Sequence, residues 1–201
     1  MKKIAIIGAG ISGLYIANLL EKENDFKYKI FEKRSKLDLV EGYGIQLSVN
    51  CIKLLNKIGF KNISASDIFF PTKVNFFKSN NPNKICDIDL TQFNDDLNRY
   101  TTTKRSTLLK FLLENIPKDN IKFNTVLKHL DYSNNIKARF SDESEEHFDY
   151  IIIADGVFSQ SKSIISKETL KPKYNNSIAL RGKINKYDGN NISIFMGSNF
   201  H

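Results

Sequence analysis

The segment Gly8-Ala9-Gly10-Ile11-Ser12-Gly13 constrains this chain more than any other, because of what flanks it. Before it stands the apolar run Ile4-Ala5-Ile6-Ile7, of a length and composition for one strand of a parallel sheet buried on both faces. After it, Ile11, Leu14, Tyr15, Ala17, Leu19 and Leu20 recur with helical spacing. A second strand pattern, Tyr28 to Phe31, ends at Glu32, with eighteen residues between Gly13 and that carboxylate. Strand, glycine loop, helix, strand and terminal acid together make the dinucleotide-binding β-α-β unit. In that unit Gly8 permits the tight turn, Gly10 keeps side-chain atoms away from a pyrophosphate, and Gly13 lets the helix pack closely, with small Ala17 one turn on. The first helical turn, with Ile11 and Ser12, offers unpaired N–H groups and the positive end of the helix dipole to the phosphates. Glu32, with Lys33 beside it, can accept the hydroxyls of an adenosine ribose. A 2′-phosphate is repelled there, which favours FAD or NAD over NADP.

The other bulk properties mainly exclude. The length of 201 residues suits one to two domains. No stretch approaches the ~20 apolar residues of a membrane span. The opening Met1-Lys2-Lys3 and its apolar run are too short for a secretory signal and are interrupted by the glycines, so the expected location is the cytoplasm. The net charge of +8 is spread along the chain without a dense basic block. It reads as a solvated basic surface, not a nucleic-acid site. Cys51 and Cys86 form no framework and are expected to be small buried hydrophobes. His129, His147 and His201 share no metal-like spacing, so no metal site is expected.

Further along, Ser48 is placed to cap a helix carrying Ile52, Leu55 and Ile58 on one face, with Gly59 at its end. Residues 73–77 and 85–90 alternate and read as antiparallel strands. A helix is expected from Lys104 to Ile116, closed by Pro117, and strands near 121–127, 136–140, 178–184 and 192–196. Asp142 to Glu146 reads as a hairpin turn. Phe69-Phe70 and Phe76-Phe77 are expected in the core. Asp149 to Ala154 reads as another strand buried on both faces, in one parallel sheet with the N-terminal unit. The expected class is α/β: a Rossmann-like FAD-binding domain (residues 1–70 and 101–168) interleaved with an incomplete, antiparallel β-rich substrate domain (residues 71–100 and 169–201).

A second constellation follows that late strand: Ala154-Asp155-Gly156-Val157-Phe158-Ser159. It puts a carboxylate and a glycine at the C-terminal edge of a parallel sheet, where ligands bind. Asp155 can anchor a ribose hydroxyl, Gly156 lets backbone approach a phosphate or ribose, and Ser159 can cap the next helix. An ordinary Asp-Gly turn fits equally well. Taken together, the glycine loop, Glu32, this Asp-Gly element and Thr103-Lys104-Arg105-Ser106-Thr107-Leu108 resemble the FAD-dependent aromatic hydroxylases, the single-component flavoprotein monooxygenases. Gly42 to Asn50 and Ala179-Leu180-Arg181-Gly182 are similar to segments of the salicylate/kynurenine hydroxylase-like branch.

That resemblance implies that Gly8, Gly10, Ile11, Ser12, Gly13, Glu32 and Lys33 hold the ADP half of a tightly bound FAD. It implies that Arg105 approaches the ribityl–pyrophosphate region and that the Gly44-Ile45 backbone lies near the flavin. Asp155 and Gly156 would serve FAD and, transiently, NAD(P)H as reductant. The implied reaction hydroxylates an aromatic or related ring through a flavin hydroperoxide. No residue stands out as catalytic. Phe76 and Arg181 are candidates to line a substrate pocket. The family's third motif, a Gly-Asp pair about 80–100 residues further on, has no counterpart before His201. A truncated form, inactive alone, is therefore the expectation. Two alternatives stay open. One is another flavoprotein on this scaffold, such as a quinone-pathway hydroxylase, for which the basic surface permits peripheral membrane contact. The other is a non-catalytic FAD-binding fragment. The oligomeric state is not readable.

Overall fold

A computed structural model describes the chain apart from residues 41–42, 133–134, 169–170, 177, 179, 181, 183–188 and 199–201. Its elements in order are β1 (Lys2–Ile7), α1 (Ile11–Leu20), β2 (Phe26–Phe31), β3 (Gly44–Leu47), α2 (Val49–Asn56), β4 (Ile68–Phe69), β5 (Lys73–Lys78), β6 (Asn81–Asp89), β7 (Thr101–Lys104), α3 (Arg105–Leu113), β8 (Ile121–Lys122), β9 (Leu127–Asp131), β10 (Ile136–Phe140), β11 (Glu145–Phe148), β12 (Tyr150–Ile153), α4 (Ser161–Ser166) and β13 (Ile192–Met196). They form two compact units, one of Met1–Val40 with Leu108–Ala179 and one of Glu41–Thr107 with Leu180–His201.

The first unit is built on a parallel sheet in the order β12-β1-β2-β8. Both neighbours of β1 run parallel to it, with Ile4 opposite Tyr150 on one side and Tyr28 on the other. Ile4 to Ile7 are all buried, as a central strand requires. The two faces of the sheet receive different partners. Ala5, Ile7 and Phe31 meet Leu127, Leu130, Ala138, Phe140 and Phe148 of the antiparallel meander β9-β10-β11. Phe31 stacks on Phe140 with ring centroids 4.0 Å apart and meets Phe148 edge-on at 5.9 Å, each such pair adding ~0.5–1.5 kcal/mol beyond its buried area. On the other side, α1 comes close to Ile6 at Gly13. Buried Asn18 of α1 donates to the Leu14 carbonyl at 2.8 Å and to the Leu112 carbonyl at 2.6 Å, tying α1 to the end of α3.

The hairpin turn expected at 142–146 joins β10 to β11, with Glu145 and Glu146 already in the strand. Lys122 lies 2.7 Å from Asp142. That cation, then the Ser144 hydroxyl, holds the Asp142 carboxyl far below the usual carboxylate range. A depressed folded-state value means stability that is present above the unfolded value of about 3.9 and is lost as pH falls toward the folded one. The pair is exposed, so the effect is small. Asp142→Asn should lower the thermal midpoint by about 1 °C at neutral pH, and by less in scans run progressively below pH ~4.

The second unit contains two three-stranded sheets, β3-β7-β4 and β13-β5-β6. The first is antiparallel and pairs Gly44 with Lys104 and Ile45 with Thr103. In the second, β5 and β6 form the expected antiparallel hairpin, whereas β13 lies parallel to β5. The layer is therefore mixed, because no hairpin links β13 to its neighbour and orientation is not imposed by a short turn.

Several sequence expectations are corrected. Cys51 and Cys86 are exposed. Cys51 lies beside, not within, the α2 stripe of Ile52 and Leu55, and the β6 face carrying Cys86 and Ile88 is open. Phe69 and Phe70 are exposed, and Phe76 and Phe77 only half-buried. β12 is an edge strand, so Ile151 to Ile153 are half-buried and Tyr150 exposed. Residues 121–127 break into two strands at Asn124, whose φ is 53°. Lys104 closes β7, and α3 starts at Arg105. Ser48 stands at the α2 N-cap, but its hydroxyl bonds Asn50 and not the backbone. The strand expected at 178–184, with Arg181, lies largely outside the described residues, as does His201.

Candidate functional site

The glycine loop leaves β1 toward the C-terminal edge of the parallel sheet. Gly8 has φ +106°, and a Cβ there would stand 2.6 Å from the Ala154 carbonyl oxygen and 2.9 Å from Asp155 Cα. Only glycine lets the two strand ends come this close. A Cβ on Gly13 would stand 2.0 Å from the Gly8 carbonyl oxygen, so α1 can start against the loop only without a side chain at that position. Gly10 differs from both. Its φ of −77° suits any residue, and nothing lies within 4 Å of a Cβ built on it. The folded chain itself has no use for glycine at position 10, and the space beside it is open.

No side chain caps α1, whose N-cap is Gly10, and no acidic residue stands in its first turn. The N–H groups around Ile11 and Ser12 are left to whatever occupies that space. Ile11 is half-buried and Ser12 exposed.

Glu32 is buried, 7% exposed. Its Oε2 accepts from the Ala9 N–H at 2.8 Å and its Oε1 from the Arg34 N–H at 3.0 Å. Its own N–H donates to the Lys122 carbonyl, and its carbonyl accepts from the Thr125 N–H, both at 2.9 Å. The carboxylate thus shapes the loop directly. Two of its roughly four lone-pair directions are used, which leaves capacity for hydroxyl donors. Lys33 beside it is exposed.

Asp155 and Gly156 follow β12 at the same sheet edge, and the Ala154 N–H donates to the Ile7 carbonyl at 2.8 Å. Asp155 Oδ2 accepts from the Ser161 N–H at 3.2 Å, and Ser159 Oγ from the Lys162 N–H at 3.1 Å. Both side chains therefore cap α4. The remaining Asp155 oxygen, Oδ1, is buried and has no partner. A buried acceptor left unpaired costs ~1–3 kcal/mol, so it marks a place where a donor is missing. The open face at Gly10, the uncapped α1, Glu32 and Asp155 Oδ1 all belong to the first unit, and together they fit the adenosine–pyrophosphate portion of a dinucleotide.

Gly44, Ile45 and Arg105 belong to the second unit, where the structure brings them together. The Arg105 N–H donates to the Tyr43 carbonyl at 3.0 Å, next to the β3–β7 ladder. The half-buried Arg105 has no side-chain partner among the described residues. Among the described residues no group of histidine, cysteine or carboxylate side chains could hold a metal, and no described helix is long and apolar enough to cross a membrane. Sequence reasoning missed the grip of Glu32 on Ala9 and the clip of Asn124 and Thr125 onto the exit of β2. The available signal for the clip was the residue type at 124, since asparagine tolerates the left-handed backbone it adopts there, at φ 53°.

The family described as NAD(P)-binding Rossmann-like domain matches residues 6–37. Monooxygenase asqM of Emericella nidulans is 30% identical over 190 residues, covering 86% of this chain and 42% of its own length. The 6-hydroxynicotinate 3-monooxygenase of Pseudomonas fluorescens is 26% identical over 182 residues, covering 89% of this chain and 46% of its own length. Among solved structures, Klebsiella pneumoniae HpxO complexed with FAD and uric acid superposes with a TM-score of 0.69 at 21% identity, over 81% of this chain and 41% of that one. The fold is therefore the Rossmann-like one of these flavin-containing structures. The chain spans less than half the length of these relatives.

Proposed function

We propose that this chain is the cofactor-binding part of a FAD-dependent monooxygenase of the salicylate/kynurenine hydroxylase-like kind, working in the cytoplasm on a small aromatic or related ring. The observation that supports this best is Gly10. A glycine with ordinary backbone and an empty side toward an uncapped helix serves a ligand, not the fold. In this reading Gly8, Gly10, Ile11, Ser12 and Gly13 shape and donate to the pyrophosphate cradle. Glu32 accepts the adenosine ribose hydroxyls with Lys33 at its flank. Asp155 Oδ1 takes a hydroxyl donor of the cofactor beside Gly156. Arg105 neutralises phosphate charge, and the backbone at Gly44 and Ile45 borders the flavin. Asp155 and Gly156 also serve NAD(P)H as a transient visitor. When bound, FAD supplies the redox chemistry, accepting a hydride from NAD(P)H and reacting with O2. The division of labour assigns residues 1–70 and 101–168 to the cofactor and 71–100 and 169–201 to the substrate.

The test uses the 201-residue chain and three nucleotides in isothermal titration: ADP, FAD and 2′-phospho-ADP-ribose. ADP and FAD should bind, and the 2′-phosphate should weaken binding at least about tenfold by repulsion from Glu32. Equal or tighter binding of the 2′-phosphorylated ligand overturns the assignment. Arg105→Ala should weaken FAD by roughly tenfold or more, the weight of a ~1.5–3 kcal/mol charge-assisted contact. Its thermal midpoint should move little. Unchanged flavin affinity by fluorescence titration would reduce Arg105 to an ordinary helix residue.

A further inference from the structure

The second unit contains a cleft of about 250 Å³ that the cofactor reading leaves unused. Its apolar lining includes the buried Ile52 and Phe60 and the exposed Phe70 and Leu97. Asn56, the last residue of α2, also lines it, and the orientation of its amide is set by a chain of hydrogen bonds. Asp95 Oδ1 accepts from the Asn98 N–H and from Asn98 Nδ2, at 2.8 and 2.7 Å. This turns Asn98 Oδ1 toward Asn56, whose Nδ2 donates to it and to the Leu97 carbonyl, each at 3.0 Å. Both Asn56 donors are thus spent on acceptors, and its Oδ1 is left buried without a partner. Flipping the amide would lose both bonds, so the unpaired atom is an acceptor.

The charges at the cleft have a definite sign. Arg99 and Lys61 line it with Asp96, two cations against one anion. The Arg99 guanidinium lies 5.8 Å from the centre of the Phe70 ring. Among the described residues it has no carboxylate partner.

We propose that this cleft is a separate binding site for a small apolar organic acid that carries an N–H donor. The apolar body covers the exposed Phe70 and Leu97 over a floor of buried Ile52 and Phe60, the N–H meets Asn56 Oδ1, and the carboxylate meets Arg99. Each element of the ligand answers something the folded chain leaves open: apolar surface, a buried acceptor and an unpaired cation.

Three probes of similar size separate these contributions on the unaltered chain. Indole-3-acetate has all three elements, naphthalene-1-acetate lacks the donor, and 3-methylindole lacks the carboxylate. In amide chemical-shift titrations, indole-3-acetate should perturb residues 52–61, 68–70 and 96–101, and bind about tenfold more tightly than either control. Arg99→Leu should bring indole-3-acetate down to the level of 3-methylindole and leave 3-methylindole unchanged. Equal affinity for the three probes overturns the proposal. So does a shift pattern confined to other residues, or an Arg99→Leu chain that binds indole-3-acetate as before. The probe series on the unaltered chain stands even if the variant folds poorly.

Discussion

Gly13→Ala should cost the first unit about 3 kcal/mol or more, whereas Gly10→Ala should leave the fold intact and remove nucleotide binding. The new methyl on Gly13 would stand 2.0 Å from the Gly8 carbonyl oxygen. That neighbour is backbone, so no rotamer change relieves the clash, and α1 must shift off the loop. A thermal midpoint lower by roughly 6–12 °C is expected for a chain of this size. At Gly10 the methyl enters open space at φ −77°. Stability should rise slightly, by ~0.4–1 kcal/mol through the unfolded chain's lost freedom. ADP affinity, read by titration calorimetry, should fall by at least about tenfold, because the methyl occupies the approach of the pyrophosphate. A Gly10→Ala chain that binds ADP like the original would show that the open space is not a ligand's. A Gly13→Ala chain with an unchanged midpoint would show that the loop can yield.

Glu32→Gln should damage stability and binding together. The carboxylate uses both oxygens on the Ala9 and Arg34 N–H groups. Glutamine keeps one acceptor and turns an NH2 toward the other N–H. One buried donor then goes unpaired, at ~1–3 kcal/mol, or a midpoint lower by about 2–12 °C. ADP affinity should fall further than stability alone explains, because the proposed ribose contact uses the remaining lone pairs. A residue that served only as a ribose acceptor would show the affinity loss with no change in midpoint, and that result would refute the structural half of its role.

The glycine loop, Glu32 and the parallel pairing of β1 with β12 were legible in the sequence because each is written locally: tight turns need glycine, and an unbroken apolar run needs a sheet with two covered faces. What the sequence concealed depends on partners far along the chain. Alternation at Cys86 and Ile88 marks one face of a strand but not whether anything covers it. Ile151 to Ile153 have the composition of a central strand, yet nothing in those residues says that β12 closes the sheet. Thr101 to Lys104 form β7, the middle strand of its sheet, but four residues carry too little periodicity to announce themselves. At the candidate site, the spacing of Glu32 from the glycine loop suggests a ribose acceptor, because acids stand there in dinucleotide-binding units. Its hold on Ala9 was not, since the bond joins a side chain to a backbone group 23 residues away. Asp155 was ambiguous between turn and ligand. The structure accounts for one oxygen through α4 and leaves the other unpaired.

The pairing of β1 with β12 has a consequence in time. Lys3 and Asp149, joined by a hydrogen bond where the two strands begin, are 146 residues apart. A ribosome adding about 5–20 residues per second needs roughly 7–30 s to cover that distance. For that interval β1 can pair with β2 while its other edge stays open, a row of unmet N–H and C=O groups beside the apolar side chains Ile4 to Ile7. Faster elongation or a bound chaperone would shorten or shield that window. The nascent chain is thus at its most vulnerable to association with its own copies after its most recognisable motif has formed and before β12 arrives to cover that edge.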